Sequence, residues 1–93
     1  MQFSITVNEL NRYLKTVHGE YEAAKEIVPG NLVMHKVMSL LDVPLVLSHQ
    51  ATFKNDVYTD ELLFLDLFQA NNMIEYKVTC GRQLKIAGTI QLK

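Results

Sequence analysis

The chain has 93 residues, of which 48% are hydrophobic and 20% are charged, and its formal net charge at pH 7 is −1. This balance gives no long-range positive field, which argues against nucleic acid or an anionic membrane surface as a partner. The length suits one small domain, and the longest apolar runs fall far short of the ~20 residues that a membrane span needs.

The cysteine and the histidines argue against a metal centre. Cys80 is the only cysteine, which excludes an intrachain disulfide and disfavours a zinc site built from thiolates. His18, His35 and His49 lack the close spacing of metal ligands, so we expect neither a metal nor another cofactor. The N-terminal segment MQFSITVNEL has no basic region and no apolar core of a signal peptide, so we expect a cytoplasmic protein.

The first third of the chain predicts a short strand followed by a helix. Apolar residues alternate with polar ones at Phe3, Ile5 and Val7. Thr6 or Asn8 can then cap a helix. Its apolar stripe has the spacing of one buried helix face and consists of Leu10, Tyr13, Leu14 and Val17. We expect this helix to end at His18-Gly19, and Glu20 to Ile27 to form one or two helical turns or an ordered loop.

Residues 28–41, VPGNLVMHKVMSLL, predict a second helix that is apolar around most of its circumference. Pro29 suits the first turn, because its φ is already helical and its missing N–H would have no intrahelical partner. One narrow polar stripe remains, made of Asn31, His35, Ser39 and Asp42, with Lys36 at its margin. A helix of this kind is buried on most sides, and Pro44 prevents its continuation beyond about residue 42.

After this helix the hydrophobic period changes to two, which predicts about four antiparallel strands in a meander. In the first strand one face holds Leu45, Leu47, His49, Ala51 and Phe53. The segment 62–68 is apolar on both faces except at Asp66, which indicates a central strand. Turns are expected at Asn71-Asn72 and at Gly81-Arg82, and the acidic cluster from Asp56 to Glu61 is expected to be a solvated bend.

Four short segments resemble MaoC-type enoyl-thioester hydratases and the related beta-hydroxyacyl dehydratases. Residues 53–62, FKNDVYTDEL, resemble their segment Phe-x-x-Pro-Val-Tyr-x-Gly-Asp-x-Leu. Residues 86–90, IAGTI, are similar to their last strand, commonly Val-Ala-x-Gly-x-Ala-x-Val. Residues 27–32, IVPGNL, resemble the opening of their central helix, and residues 5–10, ITVNEL, resemble the passage from their first strand to their first helix.

The resemblance implies an α+β hotdog fold, in which a curled antiparallel sheet wraps one central helix, here about residues 29–42, within a single domain over residues 1–93. It also implies a homodimer whose two sheets join edge to edge, with an acyl-thioester tunnel between the subunits. The implied ligand is an acyl-CoA or an acyl-carrier-protein thioester, and the implied reactions are hydration of an enoyl thioester and dehydration of a 3-hydroxyacyl thioester.

The catalytic motifs of these families are incomplete in this chain. The hydratase motif Gly-Asp-x-Asn-Pro-x-His is represented only by Gly19-Glu20. Compared with the dehydratases, His18 lies upstream of Pro29 roughly where their catalytic histidine lies, and their helix glutamate falls at His35. In the bend, the usual Pro, Gly and Asp are replaced by Asp56, Asp60 and Glu61.

Candidate site residues follow from the chemistry that a thioester needs. The backbone N–H groups of Gly30 and Asn31, at the positive end of the central helix, can hold a thioester oxygen, although Pro-Gly can also serve only to set the turn. His18 or Glu20 would take the proton and His35 would assist, although each also suits a solvated or hydrogen-bonded structural role. His49 lies on an apolar strand face, where a hydrogen-bonded core histidine is expected.

Three functions stay open at this point. The leading hypothesis is an acyl-thioester binding protein of the hydratase and dehydratase type. The alternatives are a non-catalytic hotdog that binds an acyl ligand or only dimerises, and an acyl-CoA thioesterase, because other hotdog proteins hydrolyse thioesters with a carboxylate and a helix-terminal oxyanion site.

Overall fold

The computed structural model describes residues 1–18, 27–42 and 46–93, with the backbone alone described for residues 14–18. The expectations for Gly19, for 20–26 and for Pro44 lie outside these residues. The helices are α1 (Val7–His18) and α2 (Gly30–Leu41). The strands are β1 (Gln2–Phe3), β2 (Ile27–Val28), β3 (Val46–Phe53), β4 (Val57–Tyr58), β5 (Leu63–Ala70), β6 (Met73–Cys80) and β7 (Gln83–Leu92). No helix in the described part of the chain is long and apolar enough to cross a membrane.

Five strands form an antiparallel sheet in the order β1-β5-β6-β7-β3. The predicted turns are confirmed at Asn71, where φ is 55°, and at Gly81, where φ is 60°. The meander is confirmed only for β5, β6 and β7. The expectation that β3 continues it is wrong, because β3 pairs with β7 at the opposite edge of the sheet, a long-range pairing that no local pattern encodes.

Helix α2 packs on one face of this sheet and forms the centre of the core. Val33 and Val37 of α2 are completely buried together with Val78 of β6 and Ile90 of β7. The predicted polar stripe is confirmed: its four residues are exposed, and they are Asn31, His35, Ser39 and Asp42. The helix ends as expected at Asp42, which takes a left-handed conformation and donates its N–H to the Met38 carbonyl.

The start of the chain forms a shorter strand than the alternation predicts. β1 ends at Phe3, Ile5 lies in the connection and Val7 is the first residue of α1, so the strand prediction is wrong at Ile5 and Val7. The hydroxyl of Thr6 accepts the backbone N–H of Glu9 at 3.1 Å, which identifies Thr6 as the helix cap. Leu10 is buried as predicted.

A β-bulge changes which residues of β3 face the core. The register with β7 shifts between Val46 and Ser48, so Leu47 is the extra residue of the bulge. Val46 packs against the core, whereas Leu47 is 63% exposed. The prediction that Leu47 shares the inner face with His49 is therefore wrong.

Strand β5 is a central strand only at its start, where Leu65 also exchanges hydrogen bonds with the backbone of Met1. β1 pairs with Leu63 and Phe64, and the strand from Asp66 to Ala70 has no partner on that side in the described part of the chain. Phe68, which lies in this half, is 65% exposed. The prediction of a central strand is wrong for this half, because β1 is too short to pair with it.

Candidate functional site at the amide end of the central helix

The start of α2 presents backbone N–H groups without a side-chain cap. Pro29 is the N-cap residue rather than part of the first turn as predicted, because its ψ of 141° is extended. The N–H groups of Leu32 and Val33 donate to the Pro29 carbonyl at 3.0 and 3.3 Å. The N–H groups of Gly30 and Asn31 precede any helical carbonyl that they could bond. Together with the helix dipole they form a site suited to a partly negative oxygen.

An open cavity of about 310 Å³ lies at this end of the helix. One side is formed by Pro29, Gly30 and Asn31 and the other by Phe53 of β3 and by the bend at Asn55 and Asp56. Among the described residues that border the cavity, Asp56 is the one with a titratable side chain. The predicted binding residues Gly30 and Asn31 thus lie together in one cavity.

Phe53 reaches across this cavity to the helix. The tip of its ring lies so close to Gly30 that a methyl group added there would be 2.6 Å from the Cζ atom. Only a residue without a Cβ atom accommodates this ring position. Phe53 is nevertheless 48% exposed, so the ring is held on one side only.

His35 lies in a second depression, of about 710 Å³, between α1 and α2. Asn31 borders both depressions, whereas Gly30 borders only the first. The ion pair between Glu9 and Lys36, with an N···O distance of 3.1 Å, joins the two helices beside His35. The side chain of His18, the last residue of α1, and the whole of Glu20 lie outside the described part of the chain.

The bend that forms the far side of the cavity is held by a buried lysine. Lys85 lies at a bulge in β7, where the register with β6 shifts between Val78 and Thr79. Its side chain is 3% exposed, and its Nζ donates to the Asp56 carbonyl at 2.6 Å and lies 3.2 Å from Oε2 of Glu61. A bulge re-aims side chains, and here it adds Lys85 to the buried side next to Ile86.

Glu61 is part of this internal network, so the expectation that it belongs to a solvated bend is wrong. Burial alone would raise the pKa of Glu61, but the backbone N–H of Tyr58 and the ammonium group of Lys85 outweigh it and hold the pKa below its usual value. The Tyr58 N–H donates to Oε1 at 2.7 Å. Asp56 and Asp60 are exposed, so the prediction of a solvated bend is confirmed for these two residues.

A second aromatic residue packs against a glycine on the inner face of the sheet. The ring of Tyr76 occupies the space in which a Cβ atom on Gly88 would lie, and its hydroxyl is 2.6 Å from Nε2 of His49. Burial raises the pKa of Tyr76 to about 12 and lowers the pKa of His49. The prediction that His49 is hydrogen-bonded is confirmed, although its side chain is only partly buried.

The sequence analysis missed the contact of Phe53 with Gly30, the burial of Lys85 and the role of Tyr76 as the hydrogen-bond partner of His49. Gly88 carried a usable signal, because a glycine inside a strand marks a close approach by another group. Lys85 carried none, because a charged residue between Leu84 and Ile86 has the alternation of an ordinary exposed position.

The overall structure is similar to those of two solved proteins. An (R)-hydratase from A. caviae involved in PHA biosynthesis superposes with a TM-score of 0.70 and 14% sequence identity, over 100% of this chain and 92% of the hydratase. A hypothetical protein from Aquifex aeolicus superposes with a TM-score of 0.64 and 13% identity, over 98% of this chain and 91% of the other. No protein-family profile matches the chain, and no curated protein matches its sequence.

The predicted fold is confirmed by this likeness and by the topology of the sheet. The chain has the α+β hotdog fold, with α2 as its central helix and β1, β5, β6, β7 and β3 as the surrounding antiparallel sheet.

Proposed function

We propose that this hotdog domain binds acyl thioesters, carried by CoA or by an acyl carrier protein, at the amide end of α2. The observation that carries the proposal is the cavity at the start of α2, which is bordered by Gly30 and Asn31 on one side and by Phe53 on the other. The likeness to an (R)-hydratase over the whole chain supports a function of the hydratase and dehydratase type.

The proposed chemistry is the reversible addition of water to an enoyl thioester. A base removes a proton from water as the water oxygen bonds to C3, and the electron pair of the double bond moves toward the thioester oxygen. The amides of Gly30 and Asn31 stabilise that oxygen while it carries negative charge. C2 then takes up a proton and the neutral 3-hydroxyacyl thioester forms. We assign the proton transfers to His18 or Glu20, with assistance from His35 one turn beyond Asn31.

We further propose a homodimer in the cytoplasm, joined through the edge strand β3. This strand pairs with β7 on one side only within the described chain, and it exposes Leu47 and Phe53. Pairing of two copies of β3 would cover the free N–H and C=O groups of both edges and the exposed side chain of Leu47. Phe53 and the cavity would then lie next to the partner subunit.

Thioester hydrolysis is a second candidate, because Asp56 borders the cavity that contains the helix amides. A carboxylate at that place can take a proton from water while the water oxygen bonds to the thioester carbonyl carbon. The amides would hold the oxyanion, and the thiolate would leave and be protonated. Hydration needs two proton-transfer groups. His35 lies in the neighbouring depression and does not border the cavity at the start of α2. The third candidate is therefore a protein that binds the acyl ligand without catalysis.

The three candidates are separated by one set of measurements on crotonyl-CoA. Hydration lowers the absorbance of the enoyl thioester without releasing thiol, hydrolysis releases thiol, and binding alone raises the melting temperature without either change. The proposal expects hydration by the wild type and its loss in the double variant H18A/H35A. Equal hydration by both proteins would contradict the assignment of the proton transfers to these histidines. If crotonyl-CoA raised the melting temperature no more than CoA does, the proposed thioester site would be contradicted.

A further inference from the structure

Two aromatic rings of this domain each lie against a glycine, and they are held very differently. Tyr76 lies over Gly88, is 2% exposed and is fixed by the hydrogen bond of its hydroxyl to His49. Phe53 lies over Gly30, is 48% exposed and has no group that can donate or accept a hydrogen bond. The Tyr76 ring is therefore locked, whereas the Phe53 ring can rotate about its side-chain torsions toward solvent.

The Phe53 ring lies beside the space that a ligand at the helix amides must enter. A thioester oxygen accepts a hydrogen bond only when it lies about 3 Å from the donor nitrogen. The acyl group that carries this oxygen must then pass close to Gly30, and the tip of the Phe53 ring already occupies the Cβ side of that residue. The cavity volume of about 310 Å³ lies beside the ring rather than beneath it, because the ring is one of its boundaries.

We infer that Phe53 is a gate that controls access of acyl groups to the amide end of α2, closed as observed and opened by rotation of its ring. The inference rests on the proposed thioester function and adds the residue that regulates this site. When only a fraction of the protein molecules is in the state that can bind a ligand, the apparent affinity is lowered by that fraction. Removal of the ring should therefore tighten binding, even though it removes an apolar group from the cavity wall.

The absence of tryptophan from the chain provides a direct probe of the ring. In the variant Phe53→Trp the only indole is at the gate, so its emission reports whether the ring moves when a ligand binds. The matched control is Phe68→Trp. Phe68 lies on β5, is more exposed than Phe53 and does not border the cavity at the start of α2. We expect crotonyl-CoA to change the emission maximum and intensity of F53W and to leave F68W unchanged, and CoA alone to change neither.

The second measurement is the affinity of Phe53→Ala for crotonyl-CoA by titration calorimetry. If the open state is populated to about a tenth, F53A binds roughly tenfold more tightly than the wild type. Tighter binding by F53A, with or without detectable binding by the wild type, supports the gate. Wild-type binding with unchanged F53W emission and equal or weaker affinity of F53A overturns the gate and leaves the thioester site intact. Failure of all three proteins to bind, with native circular dichroism spectra, overturns the proposed function together with the gate.

Discussion

Replacement of Lys85 by methionine tests how the side of the cavity opposite α2 is held in place. Lys85 is 3% exposed and reaches both the Asp56 carbonyl, at 2.6 Å, and the Glu61 carboxylate, at 3.2 Å. Methionine has a similar length and flexibility but no charge. The variant K85M therefore removes an ion pair and a charge-assisted hydrogen bond without opening a large cavity.

We expect K85M to lower the free energy of unfolding by about 2–3 kcal/mol. Removal of one partner from a fully buried ion pair costs about 3–5 kcal/mol. Here Glu61 is 23% exposed and keeps the Tyr58 N–H, so that water and the backbone compensate for part of the loss. In a domain of this size, the loss corresponds to a decrease in melting temperature of about 10–20 °C.

The assay is urea unfolding followed by circular dichroism at one fixed protein concentration, with K36M as the matched control. Lys36 pairs with Glu9 at a similar distance, but both side chains are more exposed, at 27% and 32%. Because water screens such a pair, K36M should cost less than about 1 kcal/mol. A cost of K85M no greater than that of K36M would refute the reasoning.

The same pair gives the protein a defined pH dependence. The pKa of Glu61 is lower in the folded protein than its ordinary value of 4.5. The charged form therefore stabilises the fold above that value, and the contribution is lost as the pH falls through the folded pKa. In E61Q this component should be absent, and the double variant K85M/E61Q should cost at least about 1 kcal/mol less than the sum of the single variants.

Three further substitutions test the remaining contacts. Asn31→Pro removes one amide N–H in the first turn of α2, where that group has no intrahelical acceptor, and should lower the hydration rate of crotonyl-CoA about 100-fold. Asn31→Ala keeps the N–H and should change the rate less than about threefold; equal rates in the two variants would show that the Asn31 amide does not stabilise the thioester oxygen. Gly88→Ala should lower the free energy of unfolding in urea by about 1–3 kcal/mol, and by less in a Tyr76→Leu background. An equal loss in both backgrounds would show that the Tyr76 ring does not exclude a Cβ atom at position 88. Thr6→Ala should cost about 1 kcal/mol as a lost helix cap, whereas Asn8→Ala should be neutral, and the reverse order would reassign the cap.

Local patterns predicted the elements of this fold better than their pairing. The apolar circumference of α2 and its polar stripe follow from residue spacing within one helix, and the turns at Asn71-Asn72 and Gly81-Arg82 follow from residue type. The pairing of β3 with β7 was not predictable in this way, because the partner strands are far apart in sequence. Nor were the strands β2 and β4, which are two residues long and have no period.

The candidate site was predictable only where it depends on the backbone. Gly30 and Asn31 were found because a Pro-Gly pair before an apolar helix places free amides at its start. Phe53 was assigned to a strand face, but its contact with Gly30 depends on tertiary packing. Lys85 was missed because a bulge inverts the side to which it points, and a one-residue shift of register is invisible in the alternation of the sequence.

The most direct test of the account is the response of individual backbone amides to an acyl thioester. A chain of 93 residues is suited to ¹⁵N–¹H correlation spectra, in which crotonyl-CoA and CoA are titrated separately. We expect crotonyl-CoA to shift the amide protons of Gly30 and Asn31 downfield, as a hydrogen bond to the thioester oxygen forms, with smaller shifts for CoA alone. Unchanged Gly30 and Asn31 resonances at saturating crotonyl-CoA, or shifts confined to other parts of the sheet, would contradict binding at the amide end of α2.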